Sequence, residues 1–236
     1  MSGSAANGRA NNLGTGFLAI ASGGADVIAF LTLGHVFASA MTGNTALLGI
    51  ALSQGDLSAA SLPVSALLGF ALGALAASVA YDPNASPTRK QLVLRSLIGL
   101  EIACLAGFAL LWQIVGHPPQ GPALYGLILL CSFAMGVQGI AAKIINAPGV
   151  NTIVFTSTLV AIVFSLTELA LGRRDTPAIR AATKRQIYVF AAYATGAVFA
   201  GLLDWAAFGL LAWVPMTAAI LALICLEAAN MARRER

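Results

Sequence analysis

Long apolar runs separated by short polar gaps dominate this chain. Two of the apolar runs, Val36–Leu52 and Val150–Leu171, are short or broken by polar residues. The others are long enough to cross a bilayer, which takes about 20 residues. They are Gly14–Leu33, Leu62–Tyr81, Gln91–Val115, Ala123–Ala142, Ile187–Phe208 and Ala212–Met231. The pattern predicts an all-α polytopic membrane protein with a single transmembrane domain over residues 1–236.

The basic residues indicate how these runs are threaded. They cluster in three polar stretches, Arg89–Arg95, Arg173–Arg185 and Arg233–Arg236. Because cytoplasmic loops carry an excess of Lys and Arg, all three stretches should lie inside. Eight crossings would put the first stretch outside, whereas six crossings and two re-entrant segments put all three stretches and both termini inside. We therefore expect about six transmembrane helices and two broken, re-entrant elements.

Composition excludes several classes of protein. Only 9% of the 236 residues are charged and the mean hydropathy is +0.85, whereas soluble domains carry about 25% charged residues. The net charge of +4 lies in loops, so no nucleic-acid partner is expected. Cys104, Cys131 and Cys225 lie in apolar runs without metal or disulfide spacing. No catalytic grouping or phosphate-binding motif occurs, so we expect no enzyme activity, cofactor or metal site.

A polar phrase occurs once in each half of the chain. Gly24-Ala25-Asp26 precedes Thr42, eighteen residues after Gly24, and Gly136-Val137-Gln138 precedes Thr156, twenty residues after Gly136. Paired interruptions in two halves of an apolar chain indicate a binding site at a repeat interface. Three crossings and one re-entrant element per half would invert the second half. We therefore expect two inverted repeats, over about 14–116 and 123–231.

Each re-entrant element is expected to be a strand followed by a half-helix. Val36–Met41 and Val150–Phe155 are rich in β-branched and aromatic residues, which suit extended backbone. Half-helices should follow from about Thr45 and Thr158, with their positive N-termini aimed at a shared cavity. The expected N-cap residues are Thr42 or Asn44 in the first element, and Thr156 or Ser157 in the second.

The candidate substrate-binding residues lie at these two helix starts and on the preceding spans. They are Asp26, Thr42, Gly43, Asn44, Thr45, Gln138, Thr156, Ser157 and Thr158. We expect Asp26 and Gln138 to flank the cavity from opposite sides, with Asp26 binding a proton or cation. Alternatively, Asp26 forms a structural hydrogen bond to a broken helix, and the hydroxyl residues only cap helix ends.

Two further features have no assigned role. Glu101 follows Arg95 by six residues, a spacing that does not put them on one helical face. Its carboxylate must therefore find another partner, line water or be protonated. Gly69 and Gly73 are echoed in the second half by Gly196 and Gly201. Small residues let helices approach closely, so the first pair serves either packing within the bundle or a homodimer contact.

The polar phrases also carry a resemblance. The residues involved are Ala25-Asp26, Phe30-Leu31-x-Leu33-Gly34, Phe37, Met41-Thr42-Gly43-Asn44, Met135-Gly136-x-Gln138 and Thr156-Ser157-Thr158-Leu159. On these residues the chain resembles the YoaK-like family of bacterial inner-membrane proteins, from about Gly14 to Met231. The resemblance implies a compact multi-span protein of the inner membrane and a transport function without a settled substrate.

The second phrase departs from the family pattern at two places. Thr156-Ser157-Thr158-Leu159-Val160 stands where Thr-Gly-x-Leu-Thr is expected. Gly139, Ala142 and Lys143 follow Gln138, where family members tend to carry Asn and Arg. These departures indicate a changed or relaxed site in the second half.

The favoured hypothesis is a proton-coupled secondary transporter of a small polar or anionic solute, with its site at the repeat interface near the bilayer midplane. A homodimer would supply the fixed frame. One alternative is a channel-like pore on the same fold. The other is a non-transporting membrane module that binds a lipid or a partner protein. The expected partners are a small-molecule or ion substrate, membrane lipid and a second copy of the chain.

Overall fold

A computed structural model describes residues 2–145, 155–173 and 176–234 of the protein. Over these residues the chain forms eight α-helices and one 3₁₀ turn, Phe208–Leu210, which confirms the predicted all-α class. The helices are α1 (Ser2–Thr32), α2 (Met41–Ser53), α3 (Leu57–Ala80), α4 (Pro87–Ile114), α5 (Gly121–Ile145), α6 (Phe155–Ala170), α7 (Pro177–Ala206) and α8 (Trp213–Arg234).

Six of these helices are long and apolar enough to cross a membrane, namely α1 from Asn11 onward, α3, α4, α5, α7 and α8. Each overlaps one of the six predicted runs. The remaining helices, α2 and α6, have 13 and 16 residues. At about 1.5 Å per residue, both are shorter than the roughly 30 Å hydrocarbon core. The chain is therefore a multi-pass membrane protein.

The predicted strand before α2 is wrong. Val36–Ala40 is irregular, and no strand occurs in the residues described. A strand needs a neighbouring strand to satisfy its backbone, but here the side chains of Asp26 and Asn44 do so. The second predicted strand, Val150–Phe155, lies outside the described residues except for Phe155, which opens α6.

The predicted helix starts and caps also need correction. The helices begin at Met41 and Phe155 instead of Thr45 and Thr158. The N-cap of α2 is Ala40, which forms no side-chain cap, whereas Thr42 or Asn44 was expected. Donors at this helix start are satisfied by neighbouring backbone and by a carboxylate from another helix, so a capping side chain is not needed locally.

The segment between α1 and α3 enters and leaves at the same end of the bundle. Gly34, just after α1, lies against Leu62 near the start of α3. The chain then turns back along α1 until Ser39 bonds Asp26, six residues before the end of that helix. From there α2 leads to a three-residue turn that precedes Leu57. The segment and α2 thus reach into the bundle without crossing it.

The two central helices, α1 and α5, each have one parallel and one antiparallel neighbour. α1 packs on α7 and α8, and α5 packs on α3 and α4. Contacts at glycines give the directions: Gly14 meets Leu226 and Gly24 meets Val214, so α1 and α8 are antiparallel. Glycine contacts likewise show that α4 runs antiparallel to α5. They also show that α7 runs parallel to α1 and that α3 runs parallel to α5.

Both parallel pairs are interlocked by glycine. A Cβ added to any of four glycines would collide with a carbonyl oxygen of the facing helix. The pairs are Gly136 with Phe70, Gly73 with Phe133, Gly23 with Tyr193, and Gly196 with Ile20. Gly69 likewise lies against the backbone of Leu129. Gly69 and Gly73 therefore serve packing within the bundle, and the homodimer contact considered for them is wrong.

Candidate functional site

Asp26 lies inside α1 and is surrounded by donors. The residue is 2% exposed, and its carboxylate accepts from the N–H groups of Ser39 at 2.6 Å and Ala40 at 3.4 Å. The hydroxyls of Ser39, at 2.7 Å, and Tyr193, at 2.8 Å, donate to its second oxygen. The Ser22 hydroxyl donates in turn to that of Ser39 at 2.9 Å. Asp26 thus ties α1 to the irregular segment and to α7.

Asn44 satisfies the other part of the irregular segment. This side chain is fully buried. Its oxygen accepts from the N–H of Phe37 at 2.8 Å, and its Nδ2 donates to the carbonyl of Phe37 at 2.7 Å. A Cβ on Gly43 would lie 2.8 Å from the Phe37 ring, so glycine lets the ring pack on α2. Asp26 and Asn44 together clamp residues 37–40.

The first turn of α2 uses most of its backbone donors internally. The N–H groups of Met41, Gly43 and Asn44 donate to the carbonyls of Ser39 and Ala40 at 2.9, 2.9 and 3.3 Å. Helix N-termini bind anions through N–H groups that lack such partners. In this arrangement the α2 N-terminus offers a solute little beyond its dipole.

The threonines of this first turn face outward. Thr42 and Thr45 are exposed, and the Thr45 hydroxyl donates to the carbonyl of Met41 at 2.9 Å. Neither side chain reaches the buried cluster around Asp26. Among the candidates in the first half, the structure brings Asp26 and Asn44 to one segment, with Gly43 beside them, and leaves the two threonines apart.

Gln138 is the buried polar residue of the second central helix. It is fully buried in α5, and its Nε2 donates to the carbonyl of Leu18 in α1 at 2.8 Å. Its Oε1 is buried and has no hydrogen-bond partner among the described residues. Leu18 precedes Asp26 by eight residues, about 12 Å along a helix. The structure therefore does not bring Asp26 and Gln138 face to face.

The candidates of the second half lie in the first turn of α6. Thr156 and Ser157 are exposed, whereas Thr158 is 3% exposed. Thr158 is the fourth residue of α6, as Asn44 is the fourth of α2, and both are buried. The predicted counterpart of Val36–Met41, the stretch Val150–Phe155, lies outside the described part of the chain except for Phe155.

The interlocked glycines give a register for comparing the two halves. They match Gly23 to Gly136 and Ile20 to Phe133, each separated by 113 residues. The sequence phrases instead match Gly24 to Gly136, one residue away. In the contact register, Gly139 and not Gln138 takes the place of Asp26.

The same contacts match Phe70 of α3 to Tyr193 of α7. The residues that correspond to Asp26 and Tyr193 are then Gly139 and Phe70, neither of which has a polar side chain. The bonded acid cluster therefore occurs between α1 and α7 and has no counterpart between α5 and α3.

Several residues at or near the site were not nominated from the sequence. Ser39 lies within the Val36–Met41 stretch, so its position offered a signal, but Ser22 and Tyr193 stand in apolar runs without one. Glu101 was noted without a role, and the expectation that it does not pair with Arg95 is confirmed, because Arg95 pairs with Glu227 of α8 at 2.5 Å. Over the described residues, no three His, Cys, Asp or Glu side chains group as metal ligands.

Comparisons with known proteins place the chain in a family. No solved structure matches it. The UPF0700 transmembrane protein YoaK of Bacillus subtilis (strain 168) is 28% identical over 204 residues, which cover 84% of this chain and 86% of that protein. A family model described as a protein of unknown function (DUF1275) matches residues 15–226. The chain therefore belongs to the DUF1275 family, in line with its resemblance to YoaK.

Proposed function

We propose that the protein is a proton-coupled secondary transporter of a small polar or anionic solute, with its site between α1 and α5 near the bilayer midplane. The observation that carries this proposal is the irregular segment after α1, which Asp26 and Asn44 hold inside the bundle. Irregular backbone at membrane depth is tolerated only when protein shields it or when it lines a cavity. Transporters use such broken helices to build their sites.

The packing of the two halves supports inverted repeats. Each central helix has one parallel and one antiparallel neighbour, and the parallel pairs interlock through matching glycines. In transporters of this kind, one half moves against the other about a site at their interface. The positive-inside rule supports cytoplasmic termini. Lys90 and Lys184 lie in the first part of α4 and α7, and Lys143 lies in the last turn of α5, all toward the end of the bundle where α1 begins.

Gln138 is the residue best suited to contact the solute. Its Oε1 is a buried acceptor without a partner among the described residues, and such an atom costs free energy until a donor reaches it. An N–H or O–H group of a solute supplies that donor. Because Gln138 and Asp26 are both buried, a solute reaches them only after helices separate. This requirement favours alternating access over an open channel.

The exposed candidates take part only in another conformation. Thr42, Thr45, Thr156 and Ser157 lie on the surfaces of α2 and α6. They line the route of the solute if these two short helices close over it during the cycle. In the present conformation, Gln138 offers a buried polar atom that has no partner among the described residues.

Solute uptake into proteoliposomes tests this proposal. We would screen small anions, amino acids and nucleobases with and without a pH gradient, and compare Gln138→Leu with Gln120→Leu, a control at an exposed position before α5. We expect saturable, gradient-driven uptake, with KM raised about tenfold in Gln138→Leu, the effect of one lost hydrogen bond. Non-saturating flux in all three proteins would favour the channel instead.

A non-transporting module that binds a lipid or a partner protein is the second candidate. It is favoured by the internal satisfaction of Asp26 and Asn44, which have bonding partners within the fold. On this alternative, both residues matter for stability alone. Folded wild-type protein that moves none of the screened solutes would support it.

A further inference from the structure

Glu101 is a carboxylic acid at the centre of a membrane-spanning helix. It is the fifteenth of the 28 residues of α4, so about 20 Å of helix lies on either side of it. The side chain is fully buried. Its neighbours one turn away, Leu97, Ile98 and Leu105, are buried members of two apolar clusters that also contain side chains of α5.

Neither carboxylate oxygen of Glu101 has a hydrogen-bond partner among the residues described. The nearest basic residue along α4, Arg95, is paired with Glu227 of α8. Helices α5 and α8 pack against α4, and no hydrogen bond or ion pair joins their described side chains to Glu101. The titratable side chains they carry up to residue 231 are Tyr125, Cys131, Lys143, Cys225 and Glu227, and α4 itself adds Cys104 near Glu101.

These surroundings contrast with those of Asp26. Four donors point at the carboxylate of Asp26, and these hydrogen bonds offset part of the cost of burying its ionised form. Glu101 has no such donor, and an isolated ionised carboxylate is strongly disfavoured in an apolar interior. A metal cation would need several oxygen ligands around it, which this apolar environment does not supply. A proton needs no further ligand.

We propose that Glu101 is held as a neutral acid and is the proton-binding site of the coupled transport cycle. This inference rests on the transport function proposed above. When α4 and α5 separate on one side, water reaches the carboxyl group, its O–H bond breaks and the proton passes to that water. The carboxylate takes a proton from the opposite side when access reverses. Asp26, the candidate for this role from the sequence, instead holds the re-entrant segment.

Infrared spectroscopy tests the protonation state without reference to transport. The wild type should show the carbonyl stretch of a protonated carboxylic acid at neutral pH, resolved from the amide bands. Glu101→Gln should lose this band. Glu227→Gln, the same change at a salt-bridged glutamate, should keep it. If the wild type and Glu101→Gln spectra do not differ, the proposal is overturned.

Uptake in proteoliposomes tests the coupling role. We expect Glu101→Gln to move solute down the solute's own gradient but to lose acceleration by a pH gradient. The ratio of uptake rates with and without the pH gradient should then fall to about one, because the pH gradient no longer favours either state of the variant. Glu101→Asp keeps an acid, and should retain both the infrared band and part of the coupling. Elution as a single folded species qualifies each variant for this comparison.

The outcomes separate the two proposals. Full coupling in a folded Glu101→Gln, beside a transporting wild type, overturns the role of Glu101 and leaves the transport function standing. A folded wild type that transports no solute overturns the proposed function and the coupling role together. The infrared band present in the wild type, combined with loss of coupling in Glu101→Gln alone, supports the inference.

Discussion

At the scale of single residues, hydrogen-bond partners divide the buried polar side chains. Asp26 and Asn44 have their polar groups engaged by the 37–40 segment and by Tyr193. Gln138 has one bonded and one free polar atom, and Glu101 has two free oxygens. A fold gains stability from the first kind of residue and loses it to the second. The two with free atoms are therefore the better functional candidates.

Asn44 offers a direct test of the clamp on the irregular segment. Asn44→Asp keeps the acceptor for the N–H of Phe37 but replaces the donor with an oxygen that faces the Phe37 carbonyl. We expect a loss of about 2 kcal/mol in the free energy of unfolding, the usual cost of an unsatisfied buried group. Denaturant unfolding in detergent micelles measures it.

The matched control for this substitution is Thr45→Val, at the next residue of α2. The Thr45 hydroxyl is exposed and bonds its own helix, so we expect a change within about 0.5 kcal/mol. Equal stability of the Asn44 and Thr45 variants would contradict the clamp.

Tyr193 tests the tie between Asp26 and α7. Tyr193→Phe removes one donor to Asp26 and changes little in volume. Hydrogen bonds to charged groups contribute about 1.5–3 kcal/mol, and Asp26 keeps its other donors, so we expect a loss near the lower value. Tyr188→Phe, at a side chain 40% exposed on the same helix, should change stability by less than about 0.5 kcal/mol. Thermal unfolding of both variants decides, and a loss of the same size in each would argue against the tie.

At the scale of elements, the sequence predicted what depends on run length and charge. The six spanning helices and the break after α1 follow from apolar runs and polar interruptions, which act locally. The strand at Val36–Met41 was wrong because β-propensity describes fit to a neighbouring strand, and here Asp26 and Asn44 replace that neighbour. Asp26 lies 13 residues from Ser39, and Asn44 lies seven residues from Phe37. The residue types within Val36–Met41 do not indicate that these two side chains bond its backbone.

The register between the two halves also could not be predicted from the sequence. The phrases Gly24-Ala25-Asp26 and Gly136-Val137-Gln138 align by residue type, whereas the contacts match Gly23 to Gly136. A glycine is required at the position where the backbone of the facing helix comes closest. That position depends on how the two helices pack, which the sequence around the glycine does not show. The sequence named the right helices but placed Gln138 one residue out of register with Asp26.

Glycine substitutions test the interlocked helices. Gly136→Ala would place a methyl group against the carbonyl of Phe70. Overpacking against rigid backbone costs about 1–3 kcal/mol or more, so we expect a loss of at least 2 kcal/mol, with Gly23→Ala behaving alike at the other interface.

Gly201→Ala is the control for these two substitutions. It lies in a helix interior with open space around it. We therefore expect no loss, and a gain of up to about 1 kcal/mol from helix propensity. Denaturant unfolding ranks the three, and a loss in Gly201→Ala as large as in Gly136→Ala would contradict the interlock.

At the scale of the whole molecule, two similarly packed helix pairs carry different chemistry. The α1–α7 pair has a bonded acid cluster at Asp26, and the matching positions of the α5–α3 pair are Gly139 and Phe70. Glu101, the acid without partners, lies on α4 beside α5. We infer that the Asp26 cluster holds α1 and α7 together as a rigid unit, so that α4 and α5 are the elements that move in the proposed cycle.

The path of α2 sets the arrangement of the whole chain in the membrane, and cysteine labelling checks it. Single cysteines would be introduced at Ser4, Gln54 or Asn84 in a background with Cys104, Cys131 and Cys225 replaced by alanine. Intact cells that carry each variant would then be treated with a membrane-impermeant maleimide. Because α2 enters and leaves at one end of the bundle, we expect labelling at Gln54 alone, with Ser4 and Asn84 reacting only after lysis. If α2 crossed the membrane, Gln54 would be protected together with Ser4 and Asn84 would be labelled.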